Sequence, residues 1–376
     1  MPPPPEVVSS FMSNEGLAAL QTRLCEFIVP FTDRKLGQAG SKFDVEEGSD
    51  EYLVSISLGF PIDRSSSGLI EVLRAYTESL KLDKAFNFKV GWTVTPHTVQ
   101  HGLKPLEGVS NIIAVASGKG GVGKSTITVN LALALAQEGA QVGILDADIY
   151  GPSQPRMLGL LGRKPETRDG KTLEPLVAHG VKVMSIGFLV DERQPMAWRG
   201  PMVTSALNQL LGETHWGELD YLLVDMPPGT GDIQLTLSQR VPVSGAIVVT
   251  TPQEVSLADA RKGLEMFQKV NVPILGIVEN MSAHICSSCG HEDQIFGAAG
   301  GKRLSEQYGL PFLGSVPLDT GIMKNTDEGD PSVVSEPESP VAASYRDIAL
   351  RASGELAASG KDYSRLFPTI SVKEDE

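Results

Sequence analysis

The stretch SGKGGVGKST, Ser117 to Thr126, determines how the rest of the sequence is interpreted. It follows the apolar run IIAVA directly and opens the segment STITVNLALALAQEG, which predicts a helix. Four of its residues fit the pattern G-x-x-x-x-G-K-[ST]: Gly118, Gly123, Lys124 and Ser125. Glycines let successive backbone N–H groups surround phosphates, and the helix N-terminus adds a partial positive charge. This context of strand, loop and helix predicts a phosphate-binding P-loop rather than a chance match.

The pattern also predicts a role for each loop residue. We expect Lys124 to reach the β- and γ-phosphates of a nucleotide and Ser125 to hold Mg²⁺. The residues expected to bind the nucleotide here are Gly118, Lys119, Gly120, Gly121, Val122, Gly123, Lys124, Ser125 and Thr126.

Further apolar runs rich in β-branched residues follow the P-loop, and helical segments separate them. These runs are QVGILDAD, DYLLVDMP, GAIVVTTP and VPILGIVEN. Continuous apolar strands separated by helices are typical of a parallel sheet covered on both faces. Residues 109–365 are therefore predicted to form an α/β domain with a doubly wound, mostly parallel sheet. Such a domain binds its ligand at the carboxyl ends of the strands.

Residues 13–96 have a different pattern and predict a small α/β domain. YLVSISLGF and FNFKVGWTV alternate apolar and polar residues, as a sheet with one covered face does. Cys25 falls in a helical pattern, which favours a buried core thiol. The turn-forming residues 97–108 predict an exposed linker between two separately folding units. We expect residues 1–12 and the acidic residues 366–376 to be disordered.

The composition excludes several classes of protein. A net charge of −14 over 376 residues argues against sequence-independent nucleic-acid binding, which needs a basic face. The start MPPPPEVV has no basic segment followed by an apolar one, and the longest apolar runs are too short to cross a bilayer. Three cysteines do not make a disulfide framework. We therefore expect a cytoplasmic protein that binds neither membrane nor nucleic acid.

Carboxylates end two of the predicted strands. ILDADIYGPS places Asp146 and Asp148 after one strand, and DYLLVDMPPGTGD ends another with Asp225. We favour Asp148 for orienting the attacking water. We expect Asp225 to hold Mg²⁺ through water, because Mg²⁺ dehydrates reluctantly. The segment PPGTGD suits a loop that senses the γ-phosphate. Helix caps or turns would explain each aspartate singly, but the P-loop favours the catalytic interpretation.

A C-x-x-C formed by Cys286 and Cys289 lies between His284 and His291. Two thiolates are half of a four-ligand metal site. A structural zinc could take both cysteines with one or both histidines. A redox pair is a second possibility, although a thioredoxin-like motif belongs near the first βα unit. The third is a second C-x-x-C from the other subunit of a two-fold dimer, which completes the four thiolates of a [4Fe–4S] cluster.

With these motifs the chain resembles the Mrp/ApbC iron–sulfur carrier ATPases. They belong to the deviant Walker A class, which includes nitrogenase iron protein and the MinD/ParA positioning ATPases. The resemblance covers about residues 105–365. It rests on the C-x-x-C and on the segments GKGGVGKST, LDADIYGPSQPRMLG, WRGPM, DYLLVDMPPGTGD, TPQEVSLADARKG and GIVENMS. Residues 10–96 resemble, more loosely, the small α/β domain that bacterial members carry at the N-terminus.

The resemblance implies roles for further residues. Lys119, the lysine after the first glycine, marks the deviant class. There it reaches the partner subunit's nucleotide and neutralises charge on the transferring phosphoryl group, like an arginine finger; the alternative is a solvated loop lysine. Asn280, at the end of the strand in GIVEN, stands where the wider class recognises adenine, and a capping asparagine is the alternative. Pro317 to Asp319 are implied to line the same base pocket.

Two functions from different classes follow. The resemblance implies a slow ATP-hydrolysing homodimer that receives a [4Fe–4S] cluster from a donor and passes it to apo-proteins. The alternative is a positioning or regulatory switch ATPase with a structural zinc or redox C-x-x-C. Switches of that kind often end in a basic amphipathic helix or carry a basic patch. The tail RLFPTISVKEDE is interrupted by Pro368 and acidic at its tip, which favours the carrier. A reductase like nitrogenase iron protein would carry its cluster cysteines at a different spacing.

Overall fold

The computed structural model describes residues 14–38, 40–100, 102–189, 200–286 and 288–360. The segments predicted to be disordered, 1–12 and 366–376, lie outside the described residues, as do Trp198 and Arg199 of the WRGPM segment.

Within the described residues, strands and helices alternate along most of the chain. The helices are α1 (Asn14–Cys25), α2 (Ser66–Ser79), α3 (Lys124–Gln137), α4 (Gln154–Met157), α5 (Gly200–Glu213), α6 (Asp232–Arg240), α7 (Glu254–Lys269), α8 (Gly300–Tyr308), α9 (Thr320–Asp327), α10 (Ser332–Ser335) and α11 (Pro340–Ala357), and Ile186–Phe188 form a short 3₁₀ turn. The strands are β1 (Ile28–Val29), β2 (Arg34–Lys35), β3 (Lys42–Glu47), β4 (Glu51–Leu58), β5 (Ala85–Trp92), β6 (Val109–Ser117), β7 (Val142–Asp146), β8 (Leu176–Ala178), β9 (Val181–Ser185), β10 (Leu219–Asp225), β11 (Gly245–Thr250), β12 (Ile274–Ile285), β13 (Glu292–Asp293) and β14 (Phe312–Leu318).

A large, mostly parallel sheet forms the main domain. Its strand order is β8-β9-β7-β10-β6-β11-β12, with β14 beside β12 and β13 paired to the end of β12. Only the pairings of β8 and β13 are antiparallel among the described strands of this sheet. The central strands β7 and β11 are buried along their whole length, and β10 is buried except at the half-buried Asp220, as continuous apolar runs require. The predicted α/β fold with a doubly wound parallel sheet is confirmed.

The connections around β6 position the functional edge of this sheet. From β6 the chain passes through α3 to β7, which lies on one side of β6 in the sheet. From β10 it passes through α6 to β11, and from β11 through α7 to β12, and both of these connections run in the opposite direction across the sheet. Right-handed crossovers of opposite direction place α3 and α7 on opposite faces of the sheet. The strand order therefore reverses beside β6, and a doubly wound fold binds its ligand at the carboxyl ends of the strands there.

The N-terminal unit has its own three-stranded sheet and its own hydrophobic cluster. In this sheet β3 pairs antiparallel with β4, and β4 pairs parallel with β5 across the helix α2. The cluster extends beyond the unit, since it includes Leu350 and Ala357 of α11. Arg34 also forms an ion pair with Glu355 of α11 at 2.6 Å. Cys25, expected to be buried, is only half-buried.

The segment after the N-terminal unit is bound to the main domain. His97 is 2% exposed, and its backbone N–H donates to Asn111 Oδ1 at 3.0 Å. Gln100 donates from Nε2 to the carbonyl of Ser238 at 2.8 Å, and its Oε1 accepts from the N–H of Val243 at 3.0 Å. The prediction that this segment is exposed is therefore wrong for His97 and Gln100. Among the described helices, none combines the length and the apolar character needed to cross a membrane.

Candidate functional site

The loop between β6 and α3 is a tight cradle in which several positions must be glycine. Gly121 and Gly123 have φ of 79° and 82°, a left-handed conformation that favours glycine. A Cβ on Gly118 would lie 2.2 Å from the carbonyl oxygen of Asp259, and one on Gly123 would lie 2.1 Å from Nδ2 of Asn280. The backbone of the loop thus packs against α7 and β12, which leaves no room for larger residues at these two positions.

Lys124, the first residue of α3, lies among carboxylates. Its side chain is 5% exposed and donates a hydrogen bond to Asp225 Oδ1. Its Nζ also lies 3.2 Å from Ser125 Oγ and 4.0 Å from Asp148 Oδ2. The structure therefore brings together four predicted site residues that come from three separate segments of the sequence.

Asp146 and Asp225 face each other at the ends of adjacent parallel strands. They are register partners in the pairing of β7 with β10, and neither is exposed to solvent. Burial, and then the nearby charge of Asp225, raises the pKa of Asp146 to about 7, although Lys124 opposes the shift. Burial likewise raises the pKa of Asp148, again against the effect of Lys124. The ammonium of Lys124 is thus the cation that compensates this acidic cluster.

Two residues that the sequence reasoning missed hold the carboxylate of Asp225. Thr128 Oγ1 lies 3.2 Å from Oδ1 of Asp225, and Gln154 Nε2 donates to Oδ2 at 2.9 Å. Thr128 stands four residues after Lys124 on α3, and this helical spacing placed it on the same face. Gln154 lies in the quoted segment LDADIYGPSQPRMLG, but no spacing rule singled it out.

The oxygen donors at this edge suit a hard divalent cation. The Ser125 hydroxyl and the Asp225 carboxylate both contact the Nζ of Lys124. Mg²⁺ prefers carboxylate, hydroxyl and water oxygens and is usually bound through only one or two protein groups together with phosphates. Gln154 adds a buried amide oxygen with no hydrogen-bond partner among the described residues. The donor set therefore fits Mg²⁺.

Lys119 lies at the start of the same loop and is half-buried. Its carbonyl accepts a hydrogen bond from Ser117 Oγ at 2.9 Å, which fixes the backbone. No ion pair found among the described residues involves its ammonium. Its predicted role toward a partner subunit stays a prediction.

The side chain of Asn280 is hydrogen-bonded to the backbone of the P-loop. Its Nδ2 donates to the carbonyl of Val122 at 2.9 Å, and the residue is 7% exposed. The expectation that Asn280 ends its strand is wrong, because β12 continues to Ile285 with Met281 at φ 56° as an interruption. The asparagine is therefore buried under the phosphate loop, and its role in recognising adenine stays a prediction.

The residues predicted to share the base pocket lie on the neighbouring strand. Val316 of β14 is the register partner of Asn280, so Pro317 follows beside it. Asp319 accepts from the N–H of Gly321 at 2.6 Å and caps α9. The structure thus brings Pro317 and Asp319 to the same edge as Asn280, and their contact with a base stays a prediction.

The C-x-x-C occupies an exposed turn that follows β12. The N–H of Cys286 donates to the carbonyl of His291 at 2.9 Å, and the N–H of Gly290 donates to the carbonyl of Cys286 at 2.8 Å. Cys286 is half-buried and Cys289 is exposed. Hydrogen bonds from the backbone N–H groups of Ser288 and Cys289 lower the pKa of the Cys286 thiol. The turn therefore carries one exposed and one half-buried cysteine.

The flanking histidines do not complete a metal site in this arrangement. One ring nitrogen of His284 lies 3.2 Å from the carbonyl of Leu318. Across residues 14–360, apart from the masked gaps, no three His, Cys, Asp or Glu side chains are grouped to hold a metal ion. Within the described part of one chain, the two thiols therefore have no third ligand beside them.

Comparisons with known proteins identify the family of this chain. Residues 108–352 match the ParA family, in its description as NUBPL iron-transfer P-loop NTPase. The chain is 57% identical over 263 residues to the iron-sulfur cluster carrier protein of Pseudomonas fragi, over 70% of this chain and 92% of the relative. It is 53% identical over 258 residues to the iron-sulfur cluster transfer protein NUBPL of Mus musculus, over 68% of this chain and 81% of the relative.

A solved structure shows the same fold. The nucleotide-binding protein from Archaeoglobus fulgidus in complex with ADP is 40% identical, with a TM-score of 0.56 over 63% of this chain and 92% of that chain. The resemblance predicted from the motifs is confirmed by the family match and by these relatives. With its P-loop, its paired strand-end aspartates and its C-x-x-C turn, the chain belongs to the NUBPL iron-transfer P-loop NTPases of the ParA family.

Proposed function

We propose that the protein is a slow ATPase that carries a [4Fe–4S] cluster as cargo between two copies of the chain and passes it to apo-proteins. One observation carries this proposal. The P-loop follows β6 and the C-x-x-C turn follows β12, in one parallel sheet, so both lie at the same edge. The names of the relatives, iron-sulfur carrier and transfer proteins, support the same function.

Ligand counting supports a cluster shared between two subunits. Each chain presents Cys286 and Cys289 on one turn, and no third ligand is grouped with them among the described residues. A [4Fe–4S] cluster takes four thiolates. A two-fold axis brings each surface patch against its own copy, so two turns together supply the set. A cargo held by only two thiols per subunit can be released when the subunits separate.

The nucleotide half of the proposal assigns a step to each residue around Lys124. Binding of ATP would exchange the contact of Lys124 with Asp225 for contacts with the β- and γ-phosphates. Asp148, 4.0 Å from Lys124, would then orient the attacking water. Mg²⁺ bound with ATP would neutralise charge on the phosphates, and Ser125 and Asp225 are the residues that would hold it. Lys119 would act on the nucleotide of the partner subunit.

The partners and the compartment follow from the same chemistry. The cargo implies a protein that donates the cluster and apo-proteins that accept it. All three cysteines of the sequence are free thiols, which suits the reducing cytoplasm.

Anaerobic reconstitution with iron and sulfide tests the proposal. We expect visible absorption typical of a cluster and about one [4Fe–4S] per dimer, lost on exposure to oxygen or chelators and transferable to an apo-acceptor. Cys286→Ala or Cys289→Ala should abolish cluster binding while ATP hydrolysis survives, because neither thiol takes part in phosphoryl transfer. Cys25→Ala is the matched control and should change neither property.

A structural zinc would give a different result. The protein would be colourless and hold about one metal per monomer, and replacing His284 or His291 would release the metal. That result after strictly anaerobic purification would leave a switch ATPase with a zinc-stabilised turn and would contradict the carrier.

A further inference from the structure

Gln154, the first residue of α4, has no role in the function proposed above, yet it contacts both residues assigned to Mg²⁺. It is completely buried. Its Nε2 donates to Asp225 Oδ2 at 2.9 Å and to the carbonyl of Ser125 at 3.1 Å. One amide group therefore links the end of β10 to the first turn of the P-loop helix.

The orientation of this amide follows from its neighbours. Both groups at Nε2 are acceptors, a carboxylate and a backbone carbonyl, so the NH₂ end must face them. Neither of these two acceptors can donate a hydrogen bond to Oε1. It is buried and has no hydrogen-bond partner among the described residues. Buried polar groups in proteins are normally hydrogen-bonded, so this amide oxygen needs a hydrogen-bond donor. A water molecule bound to a metal ion can be that donor.

The backbone of Gln154 is itself held at the site. Its N–H donates to Asp146 Oδ2 at 3.1 Å, and the same oxygen accepts from Ser185 Oγ at 3.1 Å. Asp146 in turn ends β7 beside Asp225. The side chain of Gln154 therefore projects from an anchored backbone, as a residue that orients another must.

Asp225 is held at both of its carboxylate oxygens. Oδ1 of Asp225 accepts hydrogen bonds from Lys124 and Thr128, and Oδ2 accepts one from Gln154. Once Lys124 turns toward a phosphate, Gln154 keeps Oδ2 in place. Groups that hydrogen-bond to a ligating carboxylate typically contribute about 10- to 100-fold to metal affinity.

We propose that Gln154 is a positioning residue for Mg²⁺, which orients Asp225 against Ser125 and offers its free Oε1 to the hydration shell of the ion. This inference rests on the proposed ATPase function. It predicts that removing the amide weakens the Mg²⁺-dependent part of nucleotide binding and leaves the Mg²⁺-independent part unchanged. A residue that only packs the loop would affect both parts alike.

The test uses the full chain with Gln154→Met, which keeps the length and volume of the side chain but cannot hydrogen-bond, and with Gln154→Ala. Arg156→Ala, an exposed position on the same short helix, is the matched control. Binding of a fluorescent ATP analogue is measured in EDTA and across a Mg²⁺ titration, and Mn²⁺ binding in the presence of ADP is followed by electron paramagnetic resonance. Thermal unfolding without nucleotide checks that each variant is folded.

We expect both Gln154 variants to bind the analogue in EDTA as the original chain does. The Mg²⁺ concentration at half-saturation and the dissociation constant for Mn²⁺ should each rise about tenfold or more, while Arg156→Ala changes neither. Unchanged metal dependence in a folded Gln154→Met variant overturns the inference, and so does an equal loss of binding with and without Mg²⁺. If the original chain shows no Mg²⁺-dependent nucleotide binding at all, the proposed ATPase function fails instead.

Discussion

Glu138 accepts two hydrogen bonds from Ser65, one from its backbone N–H at 3.0 Å and one from its hydroxyl at 2.6 Å. Glu138 follows the last residue of α3, the helix that begins at Lys124 of the P-loop. Ser65 precedes α2 of the N-terminal unit. The helix that starts under the phosphate site therefore ends against the N-terminal unit, and Glu138 is completely buried there.

Replacing Glu138 by alanine should lower the free energy of unfolding. Ser65 would keep a donor N–H and a hydroxyl near the junction without their acceptor, and such losses cost about 1–3 kcal/mol. Chemical denaturation of the full chain measures the change. Glu71→Ala, an exposed carboxylate on α2, is the control and should stay within about 0.5 kcal/mol. Equal stability of the two variants would show that the Ser65 contact contributes nothing.

A fragment of residues 105–376 should fold and bind ATP but be less stable than the full chain. The main domain has its own hydrophobic core. Removal of the N-terminal unit would expose Leu350 and Ala357 and leave Glu355 without Arg34. We expect a lower midpoint of thermal unfolding, with nucleotide binding retained. An insoluble fragment would contradict separate folding, and an unchanged midpoint would contradict the importance of the junction.

The two P-loop lysines should differ in what they affect. Lys124→Ala should abolish ATP binding, because it removes the buried cation that is expected to contact the phosphates. Lys119→Ala should bind ATP almost normally and hydrolyse it about 10³-fold more slowly, the effect of losing a cation supplied in trans. Binding by calorimetry and phosphate release separate the two effects. An equal loss of binding in both variants is incompatible with action across the dimer.

Asn280→Ala tests base recognition. We expect the variant to lose part of its preference for ATP over GTP, because a carboxamide can donate and accept at the edge of adenine. Its contact with Val122 also predicts weaker binding of both nucleotides. Competition binding with ATP and GTP measures the ratio, and Asn87→Ala, exposed in the N-terminal unit, is the control. If both affinities fall by the same factor, Asn280 only supports the loop.

Burial of Asp146 predicts a pH dependence of stability. Its pKa rises from 3.8 in its ordinary state to about 7 in the folded protein. Folded Asp146 thus keeps a proton over a range in which the unfolded chain has lost it, so its contribution makes the free energy of unfolding fall as pH rises from about 4 to about 7. Asp146→Asn should weaken this dependence.

Denaturation of both proteins at about pH 5 and about pH 8 checks the sign. The original chain should lose more stability than Asp146→Asn between the two conditions. Some dependence should remain in the variant, because burial raises the pKa of Asp148 in the same direction. A variant that loses as much stability as the original chain would show that Asp146 is not the titrating group.

Much of the site could be predicted because its signals are local. Three signals can each be recognised within about a dozen residues: the glycine spacing of the P-loop, the aspartates at strand ends and the C-x-x-C. Parallel strands separated by helices then place all strand ends at one edge, which is why Lys124, Asp148 and Asp225 could be grouped in advance. Thr128 could also have been predicted, because it lies four residues after Lys124 and so falls on the same face of the helix.

The sequence by itself determined the doubly wound fold, the phosphate loop and the pair of thiols, because hydrophobic periodicity and short motifs act through neighbouring residues. Only the tertiary structure decided which distant side chains meet. Gln154 and Asp225 are 71 residues apart, Ser65 and Glu138 are 73 apart, and Asn280 lies 158 residues from Val122. The burial of His97 and Gln100 in the predicted linker was also undetectable, because the turn-forming residues around them show no periodicity and their partners at Asn111, Ser238 and Val243 lie elsewhere in the sequence. A hydrogen bond between such residues depends on how the strands are ordered and packed, and no local pattern encodes that order.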